Sequence, residues 1–445
     1  MTGFESFVSE ALAKQGNSNL LRVSNEFEQV SATKLVFDGK SYINFSSNDY
    51  LGLASDFDIT EFTNWLSGGQ SHAKPAVSSG AMASPLITGN SQHHKQLIND
   101  LLKAIDAPSS FSGILFGSGF SANQGVLNAL FKDKSKEQFV YQDKLNHASL
   151  LDAGTKLQAA GHLVQKRFKH NDVKHLSQLI KPDPSLNQLV VTESVFSMDG
   201  DKSPIKDLSA LARQAGSLFM VDDAHGFGLS ALAKGVTDID LNDVDIYLVT
   251  FGKALGAQGA AVFARRSIID FLTNFSKEYI YSTHLSPIQC ETVRFNLSKL
   301  VAEKSEKSEK LVEQGLEDNE QIKPKGCCLL LANNIAYFRK IATESYLPLL
   351  PSDTAIQPIM IGDEQTTIDV ANDLKARGIW VSAIRPPTVK IGQSRLRVTI
   401  TSKHKFNEIK SLVGFLKSAL QNRLLNLGSE NSIKITSETV SLNHE

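Results

Sequence analysis

Two carboxylates and a histidine, Asp222, Asp223 and His225, follow one apolar segment of this chain. The apolar residues at 217–222 predict a strand that opens into a loop. Side chains of these types could act as an acid–base pair, bind a metal, or make ordinary turn contacts to backbone amides. No other cluster of His, Cys, Asp or Glu has ligand-like spacing, so we predict no metal site.

A lysine follows the next apolar segment, in the sequence TFGKALG at 250–256. Lys253 lies among small and apolar residues, where a lysine either extends its head to water or is used chemically. Burial or a nearby cation must lower its pKa from about 10.4 before the amine can act as a nucleophile.

Three further groups of polar residues follow apolar segments. Ser118, Gly119 and Phe120 open a helical pattern, where backbone N–H groups and the helix dipole favour an anion. His147 and Ser197 each follow another strand-like segment. Each signal is weak alone, because many strand-to-helix turns contain glycine and a lone histidine is more often structural than catalytic.

The elements that must position these residues alternate between strand-like and helical patterns from about 90 to 265. We predict strands at 113–116, 138–141, 163–168, 188–192, 217–222, 245–249 and 260–264. Helical patterns lie between most of them, for example at 121–131 and 205–214. This alternation predicts a parallel sheet covered by helices, with ligands beyond the carboxyl ends of the strands.

A second unit begins near 286 with a long helix. After 355 the pattern strand, helix, strand, strand, helix indicates a small α/β domain. We therefore predict an N-terminal helix and strand segment at 1–50, a large domain carrying the site at 51–285, a small C-terminal α/β domain at 286–424, and a polar, disordered tail at 425–445.

The composition excludes several classes of protein. The 445 residues include 46 Lys+Arg and 47 Asp+Glu, and this balance argues against an extended nucleic-acid surface. No apolar run approaches the length of a membrane span, and the N-terminus does not resemble a secretory signal. Three cysteines do not make a disulfide framework, so we expect a cytoplasmic protein.

Three of these features together fit a binding site for pyridoxal phosphate. They are an anion-binding loop, a lysine among small and apolar residues, and an Asp three residues before a His. The anion loop and Thr250 would bind its phosphate, and Asp222 would pair with its ring nitrogen through a charge-assisted hydrogen bond. The other roles would fall to His225 and Ser197 at the phenolic oxygen, His147 stacked on the ring, and Lys253 as the amine of the Schiff base.

An apolar strand ending in DDAH also resembles the magnesium-binding strand of ATP-dependent helicases. That alternative requires a phosphate loop of the form G-x-x-x-x-G-K-[ST]. The partial match is Gly39-Lys40-Ser41, and Lys34 stands where the first glycine should be. The nucleotide-hydrolase hypothesis is therefore weak.

At these residues the sequence closely resembles the α-oxoamine synthases, a family of fold-type I pyridoxal-phosphate enzymes. The resemblance runs from about 41 to 420. Its motifs are SSNDYLGL (46–53), SGFSANQ (118–124), NHASL (146–150), TESVFSMDGD (192–201), VDDAHG (221–226), TFGKALG (250–256) and YSTHLSP (281–287). The resemblance implies an α/β transferase fold, with a mostly parallel central sheet between helices in the large domain and a small C-terminal α/β domain.

Two segments, AIRPPTV (383–389) and RLRVTI (395–400), most resemble the family members that use L-alanine and a pimeloyl thioester. This resemblance implies a decarboxylative condensation to 8-amino-7-oxononanoate, carbon dioxide and the free thiol carrier, in biotin synthesis. The carrier is either coenzyme A or an acyl carrier protein, and the sequence does not distinguish them.

The resemblance also implies substrate residues and a homodimer with shared active sites. Asn48 and Arg397 would bind the carboxylate of the amino acid, which suits the two-pronged guanidinium. Ser282 and Thr283 would reach the phosphate of the cofactor in the neighbouring subunit. Two more residues are predicted to bind substrate, Thr388 and, near the acyl tail, Arg22.

The sequence departs from the family pattern at Pro85, Phe227 and Lys390. Proline fixes φ and removes a donor, so Pro85 predicts a differently shaped wall for the acyl chain. The predicted cofactor residues are intact, so these changes bear on the acyl specificity more than on the chemistry. One rival hypothesis is a related synthase with another amino acid and acyl-CoA, such as glycine with acetyl-CoA, or a maker of a signalling aminoketone. Another is a cofactor-binding regulator, which would need a DNA-binding domain and a basic patch that the sequence does not reveal.

Overall fold

The computed structural model of the chain describes residues 2–17, 20–22, 24–68, 77–230, 236–305 and 326–427. Most of the predicted tail at 425–445 lies outside these residues, from 428 onward. Within the described residues no helix is both long enough and apolar enough to cross a membrane.

The helices and strands follow one another along the whole described chain. The helices are α1 (Gly3–Asn17), α2 (Ile59–Leu66), α3 (Gln92–Ala104), α4 (Gly119–Leu130), α5 (Ala148–Ala159), α6 (Val173–Leu179), α7 (Ile205–Gln214), α8 (Arg266–Phe275), α9 (Lys277–Ile280), α10 (Pro287–Ser305), α11 (Cys327–Glu344), α12 (Glu364–Ala376) and α13 (Phe406–Leu427). The strands are β1 (Glu28–Ser31), β2 (Lys34–Phe37), β3 (Lys40–Asn44), β4 (Phe111–Phe116), β5 (Gln138–Asp143), β6 (Val164–Phe168), β7 (Asn187–Glu193), β8 (Leu218–Asp222), β9 (Ile246–Thr250), β10 (Ala260–Arg265), β11 (Ile356–Gly362), β12 (Ile379–Trp380), β13 (Ser382–Ile384) and β14 (Ser394–Thr399).

The central sheet has the strand order β4-β10-β9-β8-β7-β5-β6. Only β10 runs antiparallel to its two neighbours, which confirms the prediction of a mostly parallel sheet. Both faces of this sheet are buried: Val221 and Val249 pack into the core on one face, and Met220 and Leu248 pack into the core on the other. Burial on both faces explains why these strands are nearly continuous apolar runs in the sequence.

The parallel strands bring their carboxyl ends to one edge of the sheet. Glu193 ends β7 and lies opposite Asp222, which ends β8. Thr250 ends β9, three residues before Lys253. The predicted functional residues that follow these strands are therefore delivered to one edge.

Two smaller sheets flank the central one. Their orders are β1-β2-β3-β12 and β11-β14-β13. The sequence predicts two strands after α12, whereas the structure has three. The difference arises because the run divides at the buried Val381: β12 pairs in parallel with β3, while β13 pairs with β14. The hydrophobic pattern of one short run does not reveal that its halves join different sheets.

The partial phosphate-loop match at Gly39-Lys40-Ser41 is a hairpin turn between β2 and β3. Asp38 and Gly39 both have positive φ, at 50° and 70°, as a tight two-residue hairpin turn requires. Lys40 and Ser41 continue into a strand, whereas a phosphate loop opens a helix. The nucleotide-hydrolase hypothesis is therefore wrong for this segment.

Candidate active site

Lys253 lies half-buried just beyond β9, at the carboxyl edge of the sheet. Burial lowers the pKa of Lys253, the negative charges of Asp222 and Glu193 oppose this effect, and the Arg397 cation adds to it. The side chain is thus an amine held near two carboxyl groups in a poorly solvated place. This is the environment in which a lysine becomes a nucleophile or a base.

Asp222 is held in one orientation by hydrogen bonds to both of its carboxylate oxygens. Its side chain is buried, the Asn123 Nδ2 donates to its Oδ2 at 2.7 Å, and the Ala224 backbone N–H donates to its Oδ1 at 3.0 Å. The other Nδ2 hydrogen of Asn123 is donated to Ser149 Oγ at 2.9 Å. A carboxylate has about four acceptor positions, so Asp222 can still accept a hydrogen bond from a protonated ring nitrogen.

Four predicted residues from distant motifs, Arg397, Asn48, Ser197 and His225, meet near Lys253. Arg397 donates through Nη2 to Asn48 Oδ1 at 3.2 Å and through Nε to the Ser197 carbonyl at 2.7 Å. The Tyr50 hydroxyl lies 2.7 Å from His225 Nδ1. Burial, reinforced by neighbouring cations, holds the pKa of His225 well below its ordinary value, so this imidazole is neutral.

Glu193 is a buried carboxyl group that sequence reasoning missed. It accepts the backbone N–H of His147, and its Oε1 has no hydrogen-bond partner among the described residues. Burial, followed by the negative charge of Asp222, raises the pKa of Glu193 well above its ordinary value. The signal in the sequence was an acidic residue at the end of a predicted strand. That strand, β7, pairs in parallel with β8, and Glu193 lies opposite Asp222.

The predicted anion loop forms the first turn of α4. Ser118 is the N-cap and accepts the Ser121 backbone N–H at 3.1 Å. A Cβ placed on Gly119 would lie 3.5 Å from Thr250 Cβ, so Thr250 borders the same turn. Phe120 is half exposed beside it. The exposed start of α4 and the Thr250 hydroxyl therefore form a place for a phosphate.

His147 is the N-cap of α5, and its Nδ1 accepts the Ser149 backbone N–H at 3.2 Å. Because Nδ1 is an acceptor in this bond, the neutral ring carries its hydrogen on Nε2. Burial is also the first cause of a lowered pKa for His147. The residue as a whole is exposed, so a ligand can reach it.

The donors and acceptors of this cluster fit pyridoxal phosphate. His147 would contact the ring, and Asp222 would bind the ring nitrogen. The start of α4 and Thr250 would bind the phosphate, and Lys253 would bind the aldehyde. Two buried oxygens, Asn123 Oδ1 and Glu193 Oε1, have no partner among the described residues, as expected beside a site built for a polar group.

The remaining predicted residues are exposed and outside this buried cluster. Ser282, Thr283, Thr388 and Arg22 form no hydrogen bond with it in the described part of the chain. The roles given to them, including contact with a partner subunit, stay predictions.

The three departures from the family pattern differ in structural meaning. Pro85 is the first residue of a short π-helix, Pro85–Gly89, where its missing N–H is tolerated. Phe227 is fully buried, and its side chain packs in the hydrophobic core. Lys390 is exposed.

A second group of ligand-type side chains comes together away from this site. One oxygen of Glu303 and the two thiols of Cys327 and Cys328 lie within 4.8 Å of one another. The Cys327 thiol donates to Glu303 at 3.2 Å, and the Cys328 thiol donates to the Gly228 carbonyl at 3.1 Å. Both thiols therefore act as protonated hydrogen-bond donors, and their bonds hold α11 in place.

His170 joins two loops at this edge of the sheet. Its Nδ1 lies 3.0 Å from Asp143 and its Nε2 lies 2.7 Å from Asp201. Burial lowers the pKa of His170, but the hydrogen bonds to the two carboxylates outweigh this effect and raise the pKa to about 10. The stabilisation is therefore fully present below the unfolded pKa of about 6.5 and is lost as the pH rises through about 10.

We expect His170→Gln to lower the free energy of unfolding by about 3 kcal/mol at pH 6, because two carboxylates lose their cation. Urea unfolding of the cofactor-free protein between pH 6 and pH 10.5 measures this difference, which should shrink towards the upper limit. His162→Gln is the control, since within the described residues His162 has no carboxylate partner. A loss that stays constant over this pH range would contradict the prediction.

Comparisons with known proteins identify the family of this chain. The family model "Aminotransferase class I and II" matches residues 40–416. The chain is 40% identical over 422 residues to an 8-amino-7-oxononanoate synthase of Vibrio parahaemolyticus, covering 94% of this chain and 99% of that relative.

Two solved structures share the fold at 24% sequence identity. One is serine palmitoyltransferase from S. paucimobilis with bound pyridoxal phosphate and myriocin, which has a TM-score of 0.75. The similarity covers 94% of this chain and 98% of that chain. An 8-amino-7-oxononanoate synthase from Francisella tularensis has a TM-score of 0.64, with 98% of that chain and 86% of this one covered. The fold is that of a type I pyridoxal-phosphate enzyme, as predicted. The chain belongs to the aminotransferase class I and II family and, within it, to the family of the 8-amino-7-oxononanoate synthases.

Proposed function

We propose that the chain condenses L-alanine with a pimeloyl thioester to give 8-amino-7-oxononanoate, carbon dioxide and the free thiol carrier, a step of biotin synthesis. The observation that carries this proposal is the full-length similarity to synthases of that product. The buried cluster around Lys253 supports it, because its amine, carboxylate, imidazole and guanidinium groups suit the chemistry of an amino acid.

Pyridoxal phosphate, when bound, supplies an aldehyde that links amines covalently and a cationic ring that withdraws electrons. Lys253 would hold the cofactor through Nζ and, once released by the incoming amino acid, take the proton from Cα. Burial lowers the pKa of Lys253, which favours the neutral amine that both tasks require. Asp222 would keep a proton on the ring nitrogen through a charge-assisted hydrogen bond.

Arg397 and Asn48 would bind the carboxylate of L-alanine. The guanidinium is buried, and its bonds to Asn48, the Ser197 carbonyl and Thr399 Oγ1 fix its plane. A planar, oriented guanidinium matches a carboxylate better than a flexible ammonium does. The Nε2 hydrogen of His147 would donate to the keto acid while carbon dioxide leaves.

The domain limits at 51–285 and 286–424, the homodimer and the cytoplasmic location also belong to this proposal. Ser282 and Thr283 are exposed in a single subunit, which leaves them available to the phosphate of a neighbour's cofactor. Arg22 and Thr388 are exposed as well and would contact the acyl substrate.

The test is thiol release from pimeloyl-CoA by the protein loaded with pyridoxal phosphate, with L-alanine, glycine or D-alanine present. We expect release with L-alanine to exceed release with glycine by at least about tenfold, since one methyl group in a fitted pocket discriminates by 10–200-fold. Release that depends on glycine instead would overturn the choice of amino acid in favour of a related synthase. No release from either the coenzyme A or the carrier-protein thioester would overturn the proposed acyl donor.

A further inference from the structure

Tyr50 is a fully buried side chain whose hydroxyl reaches the candidate site. Its ring packs in the hydrophobic core, and it follows Asn48 by two residues. The hydroxyl oxygen lies 2.7 Å from His225 Nδ1, 3.3 Å from Asn48 Oδ1 and 3.5 Å from Arg397 Nη2. One phenol group therefore contacts three residues that are predicted to bind cofactor or substrate, yet the proposed reaction gives it no role.

The distances around Tyr50 indicate where its hydroxyl hydrogen points. A separation of 2.7 Å is typical of a hydroxyl donor, whereas an N–H donor usually lies about 2.9–3.0 Å from its acceptor. Asn48 Oδ1 is farther away and already accepts a hydrogen bond from Arg397 at 3.2 Å. Burial raises the pKa of Tyr50, so the hydroxyl keeps its hydrogen. The Tyr50 hydroxyl therefore donates to His225 Nδ1, and its oxygen accepts from Arg397.

This hydrogen bond determines which nitrogen of His225 carries the hydrogen. The ring is neutral, because burial holds the pKa of His225 well below its ordinary value. A neutral imidazole has one N–H and one acceptor nitrogen, so an acceptor at Nδ1 places the hydrogen on Nε2. Among the described residues the Tyr50 hydroxyl is the hydrogen-bond partner of this ring, which leaves the Nε2 hydrogen for a ligand.

The other titratable groups near His225 keep its ring neutral but do not select a nitrogen. Lys253, Arg397 and His147 each oppose a positive charge on His225. The choice between the two nitrogens is set by the hydrogen bond that one of them makes. Tyr50 makes that bond in the described part of the chain.

We propose that Tyr50 is a positioning residue that holds His225 with its hydrogen on Nε2. This inference rests on the proposed function and on the predicted place of His225 at the phenolic oxygen of pyridoxal phosphate. That oxygen carries negative charge, so it needs a hydrogen-bond donor rather than a lone pair beside it. Without the Tyr50 hydroxyl the ring can hold its hydrogen on either nitrogen, and part of the population then presents a lone pair to the cofactor.

The first test observes the His225 ring directly in the cofactor-free protein. With isotope-labelled histidine, NMR distinguishes an N–H nitrogen from an acceptor nitrogen, and the signals lost in His225→Gln identify this ring. We expect the hydrogen on Nε2 in the native protein and a mixture of both forms in Tyr50→Phe, which removes only the hydroxyl. Tyr141→Phe is the matched control, because the Tyr141 side chain is equally buried and its hydroxyl donates to Gln188 at 2.9 Å, outside the site.

The second test follows the absorbance of bound pyridoxal phosphate as the pH changes. We expect the midpoint of this titration to rise by about 0.5–1 pH unit in Tyr50→Phe, since a phenolic oxygen that loses one neutral hydrogen bond holds the proton shared with the Schiff base more tightly. The same substitution should add less than about 0.3 pH unit in a His225→Gln background, because Tyr50 acts through His225. Tyr141→Phe should leave the midpoint unchanged.

A native His225 ring with its hydrogen on Nδ1 would overturn the inference without the need for any Tyr50 variant. An unchanged midpoint in Tyr50→Phe, or an equal rise in the His225→Gln background, would also overturn it. Failure of the native protein to release thiol from any pimeloyl thioester would refute the proposed function instead. The NMR measurement needs neither cofactor nor substrate, so the two failures are distinguishable.

Discussion

Replacing Lys253 with alanine is expected to lower kcat by at least about 10⁴-fold, the largest effect of any single substitution in this protein. The substitution would remove both tasks of Lys253: the covalent attachment of the cofactor and the transfer of the Cα proton. Proton transfer alone contributes about 10²–10⁴-fold to the rate. Cofactor binding should persist without a covalent bond, because Asp222, Thr250 and the start of α4 remain.

Mass spectrometry after borohydride reduction measures the covalent attachment, and thiol release measures turnover. Lys253→Arg is the matched variant, since it keeps the positive charge but cannot become a neutral nucleophile. It should be as inactive as Lys253→Ala. Turnover above about 1% of the native rate in either variant, or a reduced cofactor attached to another lysine, would refute the assignment of Lys253.

Replacing Asp222 with asparagine is expected to slow exchange of the alanine Cα hydrogen by at least about 100-fold. Asparagine has the same shape, but it removes the negative charge that keeps the ring nitrogen protonated. A hydrogen bond to a charged group contributes up to about 3 kcal/mol, or roughly 150-fold in rate. NMR detection of deuterium incorporation into L-alanine measures this step without the acyl donor.

The neighbouring Asp223 provides a matched control because it is equally buried but faces away from the site. Its carboxyl accepts hydrogen bonds from Ser194 and Thr237 and, at 2.5 Å, from Tyr247. Burial raises the pKa of Asp223 to about 7, so a neutral side chain is readily accepted there. Asp223→Asn should leave the exchange rate within a few-fold of the native value. Equal losses in the two variants would show that the effect is structural rather than electronic.

The central sheet and the start of α4 are the parts of the fold that local sequence patterns predict well. The strands of the central sheet were predicted to within two residues at each end, because strands buried on both faces are unbroken apolar runs. The start of α4 was recognisable because Ser118 and Gly119 are typical of a capped helix N-terminus. These features depend on residues that are neighbours in the chain.

Local sequence patterns do not predict contacts between residues that are far apart in the chain. The bond between Arg397 and Asn48 joins positions 349 residues apart, and only the family resemblance suggested that they act together.

Local patterns in the sequence were enough to locate the strands of the central sheet, the start of α4 and the reactive side chains that follow each strand. The three-dimensional structure was needed to show that Glu193 lies beside Asp222, that Phe227 packs in the core, and that β12 and β13 belong to different sheets. The physical reason is that periodicity and capping are set by neighbours along the chain, whereas register, burial and charge proximity depend on how distant segments pack.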